Sequence, residues 1–228
     1  MNLSKPIKRE SVVNTVLNRI KEALMKGEIK PGDKLPTEVE FSNKLNVSRT
    51  SIREAMQTLK ALGVIDVRQG DGTYVVDEVN SNCINPLIFS LLAKSGSSKE
   101  LVELRFLMEV GYTKLAIKIM NEEDLWAIKN AFEKHKVSVE NGENDLGKYE
   151  MSFHYEILKA TKNPFVIEIG QTVLKLFEAS IRRTSRKIPE VAIKHHRGIL
   201  EAIKKKDSKQ AEIAIKQSFE IWGDHITD

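Results

Sequence analysis

The stretch SRTSIREA, Ser48 to Ala55, decides the fold. Two arginines, Arg49 and Arg53, stand four residues apart just behind a serine whose hydroxyl suits a helix N-cap. If a helix starts here, the two cations share one face while Ile52, Ala55 and Met56 occupy the other. Leu59 and Leu62 extend the apolar face, Gln57 extends the polar one, and Gly63 suits the C-terminal end. A basic helix face is by itself ordinarily just solvated. The flanking segments therefore decide what this one faces.

Upstream, Val13, Val16, Leu17, Ile20 and Leu24 recur at helical spacing, and Gly27 stops the run before the turn IKPGDKLP. Thr37 and Glu40 form a capping box, which predicts a short helix over Glu38 to Leu45. Downstream, the β-prone runs VIDV and TYVV flank RQGDG and read as a hairpin. Three helices and a hairpin make a winged helix-turn-helix, whose third helix lies in the DNA major groove. An arginine there can donate two hydrogen bonds to guanine O6 and N7, while Ser and Thr hydroxyls and helix amides hold phosphates.

The run GEIKPGDKLPTEVEFSNKLNVSRTSIREAMQTLKALGVIDVRQGDGTYV, with every element in order, resembles the GntR family of bacterial transcription regulators. That resemblance implies DNA contacts from Thr37, from Ser48, Arg49, Thr50 and Arg53 on the third helix, and from Gln69 and Gly70 at the wing. Two positions depart from the family pattern. Val39 stands where many relatives carry an arginine, and Asp71 replaces the usual arginine between the wing glycines. These departures imply a narrower contact set or a different operator.

Composition agrees without deciding the matter. The 228 residues suit two domains, and the apolar (41%) and charged (30%) fractions are those of an ordinary folded protein rather than a disordered or membranous one. There is no apolar run of transmembrane length. MNLSKPIKRE lacks the apolar core of a secretion signal, so a cytoplasmic location is expected. A single cysteine, Cys83, fits a reducing compartment. The formal charge of +4 permits a polyanionic partner, but the first 80 residues hold 13 Lys and Arg against 11 Asp and Glu, so local placement carries the argument.

The expected division is a DNA-binding domain over residues 1–78, a linker with a short helix after Pro86 over 79–97, and an all-helical domain over 98–228. In the last, Leu101, Leu104, Leu107 and Met108 mark a long first helix opened by Ser98. Further helices are predicted from Glu122 to Val139, Leu146 to Ala160, Pro164 to Arg183, Pro189 to Lys205 and Ser208 to Ile226. A bundle of this size can enclose a pocket. Glu150 and His154 lie four residues apart on one helix face and could share a metal; His196 lies on a later helix; Arg105, in ELRFLME, could pair with a ligand carboxylate. Taken singly, each has an ordinary reading as a surface pair or a solvated cation.

The arrangement resembles the FadR-type branch of the GntR family. Its all-helical effector domain often carries Asp or Glu with His four residues later, and two further histidines on the last two helices. Glu150, His154 and His196 match that pattern, and Ser218 stands where the last histidine would fall. The resemblance implies Arg105, Glu150, His154, His196 and Ser218 as effector contacts, with Glu150, His154 and His196 holding a divalent ion such as Zn²⁺, completed by water or a hydroxyl. His225 is roughly 10 Å from Ser218 by helical rise, too far to substitute simply, and His195 is expected at the surface or behind the site.

The expected function is a DNA-binding transcription regulator, with no enzymatic activity and no membrane partner. It would bind a pseudo-palindromic double-stranded operator as a homodimer, under control of a small carboxylate metabolite. The family also includes an acyl-coenzyme A binder that lacks this metal pattern. Two other classes stand as alternatives: a metal-dependent hydrolase built on Glu150, His154 and His196, and a nucleoid protein that binds DNA without sequence preference.

Overall fold

The computed structural model describes residues 11–77, residue 90 and residues 98–226, residue 98 and the last six of these by backbone alone. The linker EVNSNCINP with Cys83, the short helix expected after Pro86 (Ser90 excepted) and the side chains of Trp222 and His225 lie outside the described residues. The chain divides into two compact units, Met1–Pro86 and Leu87–Asp228.

The first unit contains α1 (Val12–Met25), β1 (Lys34–Leu35), α2 (Glu38–Leu45), α3 (Arg49–Ala61), β2 (Ile65–Arg68) and β3 (Gly72–Val75). Its helix ends are fixed locally. Thr37 and Glu40 form the predicted reciprocal box, Asn46 closes α2 in the left-handed conformation at φ 51°, and the Ser48 hydroxyl accepts from the Ser51 amide at 3.1 Å. Val16, Ile20, Phe41, Ile52, Ala55, Met56 and Leu59 close one core with Leu35, Ile65 and Val75 of the sheet.

Two sequence expectations need correction in this unit. Leu62 does not pack inward: it is the C-cap of α3 and is 45% exposed. The turn IKPGDKLP also contains a strand. β1 pairs with β3, giving a three-stranded antiparallel sheet of order β1-β3-β2 with Lys34 opposite Tyr74 and Asp66 opposite Tyr74 on the other side. Two residues between prolines carry almost no alternation signal, so this strand depends on its partner rather than on its own pattern.

The second unit is helical throughout its described residues: α4 (Ser98–Ile119), α5 (Glu122–Glu140), α6 (Leu146–Lys159), α7 (Pro164–Leu176), α8 (Glu178–Lys187), α9 (Pro189–Lys204) and α10 (Ser208–Ile226). Caps again mark the starts. Asn121 and Asp124 form a box before α5, and Asn163 caps α7 with Pro164 at its first position. The single helix expected over Pro164 to Arg183 is in fact two. The chain tightens at Phe177, whose N–H bonds to Leu174 O at 3.0 Å, and its ring turns into the core at 4% exposure. No Gly or Pro announces this break, so packing of the ring sets it.

α6 is the central helix, touching α4, α5, α7, α8 and α9. Side chains on it accordingly look inward on several sides, and Phe153, His154, Ile157 and Leu158 are all nearly fully buried. α4 buries an unusual stripe. Leu107 is 67% exposed, whereas Arg105, Glu109, Tyr112, Thr113 and Ala116 are buried along one face. No helix among the described residues is long and apolar enough to cross a membrane.

Candidate functional site

In the first unit the residues expected at DNA are all at the surface: Thr37, Ser48, Arg49, Thr50, Arg53, Gln69 and Gly70 are exposed. Some of their polar groups are already engaged. Thr37 Oγ1 and Ser48 Oγ serve as helix caps, leaving helix N-terminal amides rather than free hydroxyls as the local anion-facing groups. Arg53 Nε is 3.2 Å from Glu38 Oε2, an exposed pair that braces α3 against the start of α2. Arg49 makes no ion pair with the other described residues. At the wing, Gly70 takes φ 78°, which a turn of this shape requires of glycine. Asp71, the residue that departs from the family pattern, turns back onto its own sheet. It accepts from Lys34 Nζ at 3.1 Å and from Tyr74 Oη at 2.9 Å, which holds its carboxyl below the ordinary range, chiefly through the Lys34 bond. The Arg68 guanidinium lies 4.2 Å over the Tyr74 ring. Val39 is 45% exposed and has no charge to offer a phosphate.

In the second unit, α4, α6, α8, α9 and α10 surround a cavity lined in part by Arg105, Glu109, Glu150, His154, His196 and Ser218. Helical spacing places Glu150 and His154 on one face of α6, and His196 reaches them from α9. One ligand atom from each of these three buried residues lies within 4.8 Å of the others. His154 Nε2 and His196 Nε2 are 3.2 Å apart, and the His196 ring stacks on Phe153 at 4.5 Å. Ser185 Oγ donates to Glu150 Oε2. Arg105 Nε is 3.7 Å from Glu109 Oε2, and its guanidinium lies 5.3 Å from the Phe177 ring and 5.5 Å from that of Phe219. His195 is half-buried and also lines the cavity.

Burial governs the charges here. It pushes the Glu150 carboxyl up, against the opposing pull of Ser185 and Arg105, and holds His154 and His196 well below the ordinary histidine value. The two imidazoles are therefore neutral, the form that ligates a metal. Two neutral ring nitrogens converging beside a carboxylate, with the Ser218 hydroxyl in the same wall, fit a divalent ion of the zinc type.

Four residues in this site had not been singled out from sequence: Glu109, Tyr112, His135 and Ser185. Glu109 Oε1 and Tyr112 Oη each lie 3.4 Å from His154 Nδ1, on the side of the ring away from His196. His135 Nδ1 lies 3.2 Å from His196 Nδ1. Glu109 had a signal, since it follows Arg105 by four residues in ELRFLME. His135 was hidden by its flanking lysines, although it continues the spacing of Ile128, Ala131 and Phe132.

Glu109 makes stability depend on pH. Burial raises its carboxyl to about 7, from 4.5 in the open chain. Folding therefore takes up a proton between those values, and the contribution of this group to stability falls as pH rises through that window. Glu109→Gln removes the titration while keeping an acceptor for His154. Relative to wild type in chelator, it is expected to gain on the order of 2 kcal/mol between pH 5 and pH 8. Urea unfolding at the two pH values measures this, and an unchanged difference would refute the assignment.

A winged helix in one unit and a polar cavity within the helical bundle of the other define a DNA-binding transcription regulator by class. Residues 13–75 match the bacterial regulatory proteins of the gntR family, and residues 100–220 match the FCD domain. The chain belongs to the GntR family of regulators, in its FadR-like, FCD-bearing branch. It is 33% identical to the HTH-type transcriptional regulator LutR of Bacillus subtilis over 83% of this chain and 89% of that one. It is 29% identical to the Uxu operon transcriptional regulator of Escherichia coli, over 88% and 81% respectively. The solved structure of Streptococcus agalactiae GntR superimposes with a TM-score of 0.67 at 25% identity, covering 92% of this chain and 97% of that one.

Proposed function

We propose that this protein regulates transcription by binding a pseudo-palindromic operator as a homodimer in the cytoplasm, with an organic acid in the FCD cavity shifting its operator affinity. Residues 1–78 bind DNA, 79–97 link, and 98–228 bind the effector and dimerise. The observation that carries the reading is the cavity itself: a buried cation and two neutral imidazoles face one space, in a chain whose other unit is a winged helix. Two half-sites related by two-fold symmetry double the few base contacts that one α3 can make.

On this reading Arg49 and Arg53 read bases, helix amides behind Ser48 and Thr50 hold phosphate, and Gln69 and Gly70 approach the adjacent groove. In the cavity, Arg105 orients a carboxylate, Glu150, His154 and His196 hold a divalent ion, and Ser218 supplies a hydroxyl in place of a further imidazole. When bound, such an ion supplies a Lewis-acidic anchor for the carboxylate. Phe177 and Phe219 flank the guanidinium and exclude water from its faces, which strengthens its attraction to an anion. Regulation requires that the acid bind the DNA-competent and incompetent dimers unequally.

A thermal-shift screen of sugar acids, hydroxy acids and dicarboxylates, with and without chelator, tests the cavity. An acid that stabilises the protein only when a divalent ion is present is the expected result. Stabilisation untouched by chelator would remove the metal from the account. An acyl-coenzyme A stabilising in place of any small acid would remove the carboxylate effector.

A further inference from the structure

We propose that His135 is a positioning residue for the cavity: its Nδ1 accepts the Nδ1–H of His196, which keeps the His196 Nε2 lone pair turned toward His154 and Glu150. The inference deepens the metal reading above and rests on it for its consequence.

His135 is completely buried, and its one hydrogen bond among the described residues is to His196, at 3.2 Å between the Nδ1 atoms. Its Nε2 is buried with no hydrogen-bond partner among those residues. An imidazole in that place thus loses hydration at both nitrogens and recovers a single polar contact. Neighbours on the same helix face are apolar, Ile128, Ala131 and Phe132, and a hydrocarbon would fill the space without that penalty. What the histidine adds is the bond to His196.

The direction of that bond follows from ligation itself. A neutral imidazole that offers Nε2 to an ion carries its proton on Nδ1. At His154 that nitrogen faces Glu109 Oε1 and Tyr112 Oη, each 3.4 Å away, and either oxygen can accept from it. At His196 it faces His135 Nδ1, 3.2 Å away, which receives the proton. Both Nε2 atoms, 3.2 Å apart, are then left with lone pairs for a cation. The opposite polarity would put the His196 proton on Nε2, aimed into the cluster, and close that nitrogen to a cation. Phe153 stacks on the same ring at 4.5 Å, so the ring plane is held by packing and its proton by His135. Outer partners of this kind set which nitrogen of a histidine can ligate. With Ser218 standing where a further imidazole would be, the orientation of each remaining one carries more of the affinity.

The test compares wild type with His135→Phe, which fills the volume without an acceptor, and His135→Asn, whose carbonyl can replace Nδ1. Zn²⁺ affinity is read by competition with a chromophoric chelator, and Co²⁺ spectra report the ligand set. Circular dichroism establishes that each variant is folded. We expect His135→Phe to bind Zn²⁺ roughly 10- to 100-fold more weakly, with an unchanged Co²⁺ spectrum at saturation, and His135→Asn to recover most of the loss. Equal affinity in His135→Phe and wild type would overturn the inference. Long-range ¹H–¹⁵N spectra of the histidines give a second readout that needs no ion. Nδ1–H at His196 in wild type, redistributed toward Nε2–H in His135→Phe, supports the assignment, and Nε2–H at His196 in wild type overturns it. Failure of wild type to bind any divalent ion would instead remove the metal reading, while the tautomer measurement would still decide the role of His135.

Discussion

Arg49→Ala is expected to weaken operator binding by roughly 30-fold or more. A bidentate arginine–guanine contact contributes about 1–3 kcal/mol of discrimination, and the proposed two-fold dimer would lose it twice. The exposed arginine makes no ion pair among the described residues, so its removal should leave the unfolding free energy within about 0.5 kcal/mol of wild type. Arg53→Ala should behave similarly in stability, because the Glu38 pair it breaks is solvent-exposed, with Arg53 at 59% and Glu38 at 36% side-chain exposure. The two differ in what they reveal. Glu38→Ala releases Arg53, and tighter DNA binding in that variant would show that the brace competes with the duplex. Titration against operator and random duplexes at fixed salt separates base reading from charge. A base-reading arginine narrows the gap between the two when lost, whereas a phosphate contact weakens both and lowers the salt slope by about 1. Unaltered operator affinity in both arginine variants would mean that this face does not read DNA.

Phe153→Ala is the second large effect. The ring is fully buried in the centre of the bundle, edge-on to Phe132 at 6.2 Å and stacked on His196 at 4.5 Å. Deleting it removes apolar burial and leaves a cavity that surrounding helices can collapse only in part, for a loss of about 3–5 kcal/mol. The consequence reaches the site, because the His196 ring loses the surface that sets its plane. Phe153→Leu retains most of the volume and is expected to lose less stability, yet it also lacks the stacking face. Urea unfolding of both variants, with metal affinity measured on whichever remains folded, checks the coupling. A Phe153→Ala protein within 1 kcal/mol of wild type would show that the core does not depend on this ring.

Where sequence and structure part company, the reason lies in interactions that span long separations. α3 was readable because its cap, its apolar spacing and its paired arginines lie within 13 residues, and local chemistry settles them. Glu150 and His154 were readable for the same reason, being one helical turn apart. β1 was missed because two residues make a strand only when β3 supplies the partner. The division between α7 and α8 was missed because Phe177 breaks the helix by turning its ring into the core, without any residue that disfavours helix. His135 is the clearest case. KHK reads as a solvated surface, and the partner that makes the histidine useful lies 61 residues further along. Of the Arg105–Glu109 pair only Arg105 was readable, as a cation on a leucine-rich helix, because the burial of the pair depends on how α4 meets α6 and α10.

On the proposed function, occupation of the histidine cavity changes how tightly the arginine helix holds DNA. Operator affinity of the full chain, on a duplex selected from a random library, should be followed by fluorescence anisotropy with and without the acid found by thermal shift, in wild type and in His154→Ala. The expected result is a shift of about 5-fold or more in wild type and none in His154→Ala, with both proteins binding the duplex in the absence of acid. An acid that fills the cavity at saturation while leaving operator affinity unmoved would contradict it.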